Sequence, residues 1–107
     1  MILSSLDFVH GKQILETKGL VEGNVVQTKH VGHDILAGLR GIVGGEVSSY
    51  TDLLETARET AIQRMSAAAE ALGADAVLGM RLTSASITGG AVEIVAYGTA
   101  VSLKSAE

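Results

Sequence analysis

The run Asp34-Ile-Leu-Ala-Gly-Leu-Arg-Gly-Ile-Val-Gly-Gly-Glu46 leads straight into a long Ala-rich segment, and it restricts the folds open to this chain more than any other stretch. Gly38, Gly41, Gly44 and Gly45 interrupt a helix-like apolar pattern of Ile35, Leu36, Leu39, Ile42 and Val43. An element with so little bulk on one side places its backbone close against a neighbour, and another subunit fits that role. Asp34 is positioned to cap this short helix and Gly44-Gly45 to end it. On this reading Gly38 and Gly41 are subunit contacts, and Arg40 and Glu46 pair across the boundary.

From about Ser49 to Leu72, Leu54, Ala57, Ala61, Met65, Ala68 and Leu72 recur at three- and four-residue spacing, which predicts one amphipathic helix. Ser48 or Ser49 caps its start, Asp52 and Glu55 suit the positive end of its dipole, and Gly73 stops it. Two strand-like runs follow, Ala76 to Ile87 and Val92 to Leu103, with Gly89-Gly90 as a two-residue hairpin turn. With Thr88 opposite Ala91, one hairpin face carries Leu78, Met80, Leu82, Val95, Tyr97 and Val101. The other carries Val77, Gly79, Ala85, Ile87, Val92, Ile94, Ala96, Gly98 and Ala100, and Arg81 falls on this Gly/Ala-rich side. Neither face is polar, so the helix should cover the small-residue face and a neighbouring subunit part of the other. Upstream, Ile2 to Val26 is punctuated by Gly11, Gly19 and Gly23 and reads as two or three short strands joined by turns or bulges. The expected fold is α+β, a small antiparallel sheet packed on one long helix, with a short glycine-rich helix beside it.

A chain of 107 residues is one domain, 1–107, able to bury roughly 65% of the surface its unfolded form exposes. Aromatics are only 3% of the residues, so the core must be built from Ala, Val, Ile and Leu around Phe8, Tyr50 and Tyr97. The net charge of −4 is spread without a basic stripe, which argues against nucleic acid and anionic membranes as partners. With no cysteine, disulfides, thiolate metal sites and Cys nucleophiles are excluded. No apolar run approaches the ~20 residues of a membrane span, and the cytoplasm is the expected location.

The combination Asp34-Ile35, Ala37-Gly38-Leu39-Arg40, Ile42-Val43-Gly44-Gly45-Glu46, Tyr50, Leu54, Ala57-Arg58, Ala61, Met65, Leu72-Gly73-Ala74-Asp75-Ala76-Val77 and Tyr97-Gly98-Thr99-Ala100-Val101 resembles the YbjQ-like family of small prokaryotic proteins. The match runs over nearly the whole chain with its blocks in order. The resemblance implies a dodecin-subunit-like α+β protomer in a homo-oligomeric ring, a pentamer, with short extra strands aiding association. Heavy-metal binding is the role it implies.

Within the residues themselves, His30-x-x-His33 followed by Asp34 is the local cluster of metal-compatible donors. Two imidazoles and a carboxylate suit a divalent transition metal such as zinc, nickel or copper, provided the segment is turned enough to bring them together. The competing reading is a solvated loop whose Asp34 caps the next helix. His10 lies near a strand end and reads as an exposed turn residue. Gly45, Ser48 and Ser49 could offer N–H and hydroxyl donors to a ligand anion at the start of the long helix, although Glu46 opposes this. Gly38-x-x-Gly41-x-x-Gly44-Gly45 lacks the lysine of a phosphate loop and the spacing of a dinucleotide site. Arg58, Arg64 and Arg81 are charged residues near a small-residue core; Arg81 reads either as an anion clamp or, the favoured reading, as a stem over apolar surface whose guanidinium reaches a carboxylate such as Glu93 or one of the adjacent subunit. No catalytic residue stands out, since there is no nucleophile elbow and no acid/base pair. The expected function is binding of a metal ion or small ligand by a ring; the alternatives are an enzyme completed between subunits and a pure scaffold.

Overall fold

The computed structural model describes residues 1–27, 46–87 and 90–106, with the backbone alone for 46–50. In chain order the elements are β1 (Ile2–Leu3), β2 (Lys12–Gln27), α1 (Glu46–Ala71), β3 (Ala76–Ile87) and β4 (Ala91–Ser105). The four strands form one sheet in the order β1-β3-β4-β2. The central strand β4 is antiparallel to β2 and β3, whereas β1 is parallel to β3, pairing Ile2 with Ala76 and Leu3 with Val77. The sheet is therefore mixed rather than wholly antiparallel. Between β1 and β3 the chain has made β2 and α1, a connection long enough for parallel pairing.

The N-terminal third contains the two-residue β1 and then one strand of 16 residues, not a series of short ones. Gly19 adopts φ +122° at a register irregularity between Thr17 and Gly19, so it bends β2 without ending it. Gly23 lies in regular β2 and serves a different purpose, taken up below.

Helix α1 starts at Glu46, ahead of the expected Ser49, which places Ser48 and Ser49 inside its first turn rather than before it. Gly73 ends the helix in the left-handed region at φ +75°, its N–H donating to the Glu70 carbonyl at 2.9 Å. The buried stripe is Leu53, Ala57, Ala61, Met65 and Ala69. Leu54 and Ala68 sit at its margin, and Leu72, beyond the last turn, is largely exposed. This stripe packs on Val21 and Val25 of β2, Ile94, Ala96 and Ala100 of β4, and Val77 of β3. Small residues on both sides let the layers approach closely. The limit is reached at Gly23, where an added Cβ would collide with the Ala61 carbonyl oxygen and the Met65 amide nitrogen.

The hairpin register differs from expectation by one residue. Ile87 faces Ala91, so the connection holds three residues. Ala85 and Ile87 accordingly leave the helix side, and Leu82, Ser84 and Ser86 take their places opposite Ala96, Ile94 and Val92. A second irregularity, between Leu78 and Arg81, contains Gly79 at φ +61°. Across it Met80 joins Val77 against the helix-side core, and Arg81 lies opposite Tyr97 on the outer face, not on the Gly/Ala face. On that outer face Ala76, Leu78 and Val101 form a smaller core with Val9 and Leu103 packed on it. The segment after β1 reaches this position along the β3 edge, where its Ser4 and Leu6 carbonyls accept from Met80 and Gly79.

Candidate functional site

Because α1 lies over β2 and β4, the outer half of β3 projects past it, and residues Arg81 to Ile87 are all exposed. A groove of about 270 Å³ runs between the helix and this arm, lined by Leu54 and Arg58 of α1, Leu82, Thr83 and Ser84 of β3, and Val92 and Ile94 of β4. Among the described residues its walls are apolar apart from the Arg58 guanidinium and the hydroxyl-bearing β3 residues.

The three arginines among the described residues differ in their commitments. Arg64 donates to the Asn24 carbonyl at 2.6 Å, clamping α1 to β2. Arg81 donates to the Ser5 carbonyl at 2.7 Å and to its neighbour Met80 at 2.9 Å, which ties the N-terminal segment to β3. Backbone carbonyls receive both cations, and Arg81 does not take the expected Glu93, which accepts from the Asn24 side chain at 3.3 Å. Half-buried Arg58 has no hydrogen bond or ion pair among the described residues.

The opposite sheet face holds a second hollow of about 210 Å³, bordered by Asp7, Ile14, Thr17, Leu78, Gly79, Thr99 and Val101. Farther along the same face, Leu20 and Val26 of β2 face solvent at 71% and 50% exposure, with Tyr97 of β4 between them at 37%. Glu16 pairs with Lys18, whose hydrogen bond and then charge hold the carboxyl below the ordinary glutamate range. Both side chains belong to an exposed strand and make a surface pair.

Of the residues picked out from sequence, His30, His33, Asp34, Gly38, Arg40, Gly41 and Gly45 lie outside the described residues. Glu46, Ser48 and Ser49 occupy the first turn of α1. His10 sits in an exposed turn before β2, as expected. Among the described residues no three His, Cys, Asp or Glu side chains come together to hold a metal ion. Also among them, no helix is long and apolar enough to cross a membrane. The groove itself escapes sequence reasoning, which sees Arg58 beside a small-residue helix face but not the strand that overshoots the helix.

The same architecture occurs in a crystal structure from Pediococcus pentosaceus, a protein of unknown function assigned to the DUF74 family. It aligns with a TM-score of 0.62 over 97% of this chain and 98% of that one, at 14% identity, which establishes likeness of fold. Sequence relatives are much nearer. A UPF0145 protein of Psychromonas ingrahamii is 55% identical over 104 residues, covering 97% of this chain and 99% of the relative. One from the archaeon Methanosarcina acetivorans is 48% identical over 103 residues, covering 96% and 97%. A family model described as "Putative heavy-metal-binding" matches residues 1–104. With the match extending over both the helix and the whole sheet, this chain belongs to the YbjQ family of UPF0145 proteins.

Proposed function

We propose that this chain is the subunit of a cytoplasmic homo-oligomeric ring, a pentamer, that binds a heavy-metal ion or a small ligand. The observation that carries self-association is the outer sheet face, where Leu20, Val26 and Tyr97 stand in solvent on a strand pair already covered by α1 on its other side. A second copy covering these side chains removes their apolar surface from water. The dimensions agree. The molecule measures 55 × 28 × 20 Å with a radius of gyration of 17.0 Å, against about 13 Å for a compact domain of ~100 residues. Among the described residues strand β2 also leaves a long sheet edge unpaired, an invitation to further strand pairing. Five-fold closure is the part of the proposal that rests on family resemblance.

Light scattering tests it. The expected mass is several times the 11.0 kDa chain, falling in a Leu20→Lys, Val26→Lys double variant; a clean monomer at micromolar concentration refutes it.

Metal binding is supported by the family description and by the donor chemistry of His30, His33 and Asp34. Calorimetric titration with zinc, nickel and copper should show binding that weakens in a His30→Ala, His33→Ala variant. Equal binding by variant and parent removes these residues as ligands. A reaction completed between subunits, or a purely scaffolding role, would instead leave the ring intact with no metal affinity.

A further inference from the structure

We propose that the groove between α1 and the outer half of β3 binds a small carboxylate carrying a short apolar body, with its anion on Arg58. The site lies on the helix side of the sheet, opposite the outer face, so it adds to the assembly reading and does not depend on it.

The cation is the first argument. Arg64 and Arg81 each spend their guanidinium on backbone carbonyls, whereas half-buried Arg58 borders the groove with no partner among the described residues. Glu55 and Glu59 flank it in sequence, yet neither lines the groove or pairs with it. A guanidinium beside apolar walls offers a planar fork of donors to a carboxylate, in surroundings where the bond is less screened than in open water.

The walls choose among anions. Leu54, Leu82, Val92 and Ile94 would desolvate an aliphatic or aromatic body but offer nothing to inorganic phosphate. One cation matches one negative charge, and Ser84, opposite Ile94 on the helix side of the sheet, can supply a further donor. A volume of about 270 Å³ lies just under the ~300–1,000 Å³ typical of ligand pockets, so the body must be short and a nucleotide is too large. Among the described residues no His or carboxylate side chain lines the groove, so the lining they supply does not suit a metal ion.

The test uses the full-length protein with hexanoate as probe and hexan-1-ol as its uncharged counterpart, followed by methyl NMR. Hexanoate should saturably shift the Leu54, Leu82 and Ile94 methyls and bind at least roughly tenfold more tightly than the alcohol. Arg58→Gln should abolish that preference and Arg58→Lys retain part of it. If Arg58→Gln disturbs the fold by circular dichroism, Leu82→Trp fills the groove from an already exposed position and should abolish the shifts. The proposal is overturned by equal binding of acid and alcohol, by unchanged hexanoate affinity in folded Arg58→Gln or Leu82→Trp, or by no saturable shift up to about 10 mM. Shifts confined to Leu20 and Val26 would likewise overturn it by moving the ligand to the outer face.

Discussion

Replacing Gly23 by alanine is the sharpest test of how the two layers are held together. Gly23 pairs with Ala96 of β4 and is buried between Val21 and Val25 on the helix side of the sheet. Its missing side chain is where α1 touches the sheet. A Cβ there would overlap the Ala61 carbonyl oxygen and the Met65 amide nitrogen and lie 2.7 Å from the Arg64 Cβ. Two of those three atoms are helix backbone, so no rotamer change relieves the contact and the whole helix must retreat. Withdrawal by about 0.5–1 Å forfeits a quarter to a half of the dispersion energy at each contact along its packed face. Ala57, Ala61, Met65 and Ala69 all share that loss. Overpacking costs about 1–3 kcal/mol, and a clash against backbone belongs at the upper end. Alanine's better strand entropy returns roughly 0.5–1 kcal/mol, leaving a net loss of about 2 kcal/mol. For a domain near 100 residues this lowers the melting temperature by roughly 10–15 °C. Thermal denaturation followed by circular dichroism at fixed protein concentration measures it, since association makes melting concentration-dependent. Gly98→Ala, which meets a Val77 methyl, the Leu78 carbonyl oxygen at 2.9 Å and the Met80 Cα at 3.3 Å, should cost less because both backbone contacts are looser than those at Gly23. A Gly23→Ala melting temperature within about 2 °C of the parent would refute close backbone packing at this point.

Two further outcomes follow from polar contacts. Lys18 depresses the Glu16 pKa, so the pair's small contribution is complete above the unfolded glutamate value and lost as pH falls through the lower folded one. A carboxyl NMR titration should show the Glu16 midpoint rising in Lys18→Ala and in about 1 M salt; an unmoved midpoint in Lys18→Ala contradicts the assignment. The Asp75 carboxylate accepts the Leu103 N–H at 2.8 Å while its own backbone bonds to Val101 and Ile2, joining β1, β3 and β4 at one corner. Asp75→Ala should cost about 1 kcal/mol, a loss of roughly 4–8 °C in melting temperature, and an unchanged melt would show that the side chain adds nothing there.

The helix and both hairpin strands were legible because their signals are local. Leucine, alanine and methionine at helical spacing, bounded by Gly73, place α1 to within a few residues, although the five-residue buried stripe from Leu53 to Ala69 displaces the expected Leu54, Ala68 and Leu72 from its centre. The close backbone approach at Gly23 was not legible. The glycines at 38 and 41 suggest such packing from a helix-like pattern, whereas Gly23 hides inside a strand, where sequence cannot separate a bulge from a contact made by an element some 40 residues away. The parallel pairing of β1 was equally invisible, since two residues carry no periodicity.

The groove was out of reach for a more specific reason. Thr88-Gly89-Gly90 can be read as closing a hairpin with two residues or three, and the choice slips every upper β3 residue to the opposite face. The two-residue reading puts Leu82 outside and Arg81 inside; the observed pairing of Leu82 with Ala96 and Arg81 with Tyr97 reverses both. Near the helix C-terminus the error disappears, because the irregularity at Gly79 shifts the register again and returns Val77 to the helix side, opposite Ala100. The core is therefore insensitive to the ambiguity. The arm beyond Gly79 is not, and it is this arm that sets Leu82 and Ser84 across the groove from Arg58. Loop length thus decides which side chains meet across the groove, whereas the core rests on small residues of both layers that make the same contact under either reading.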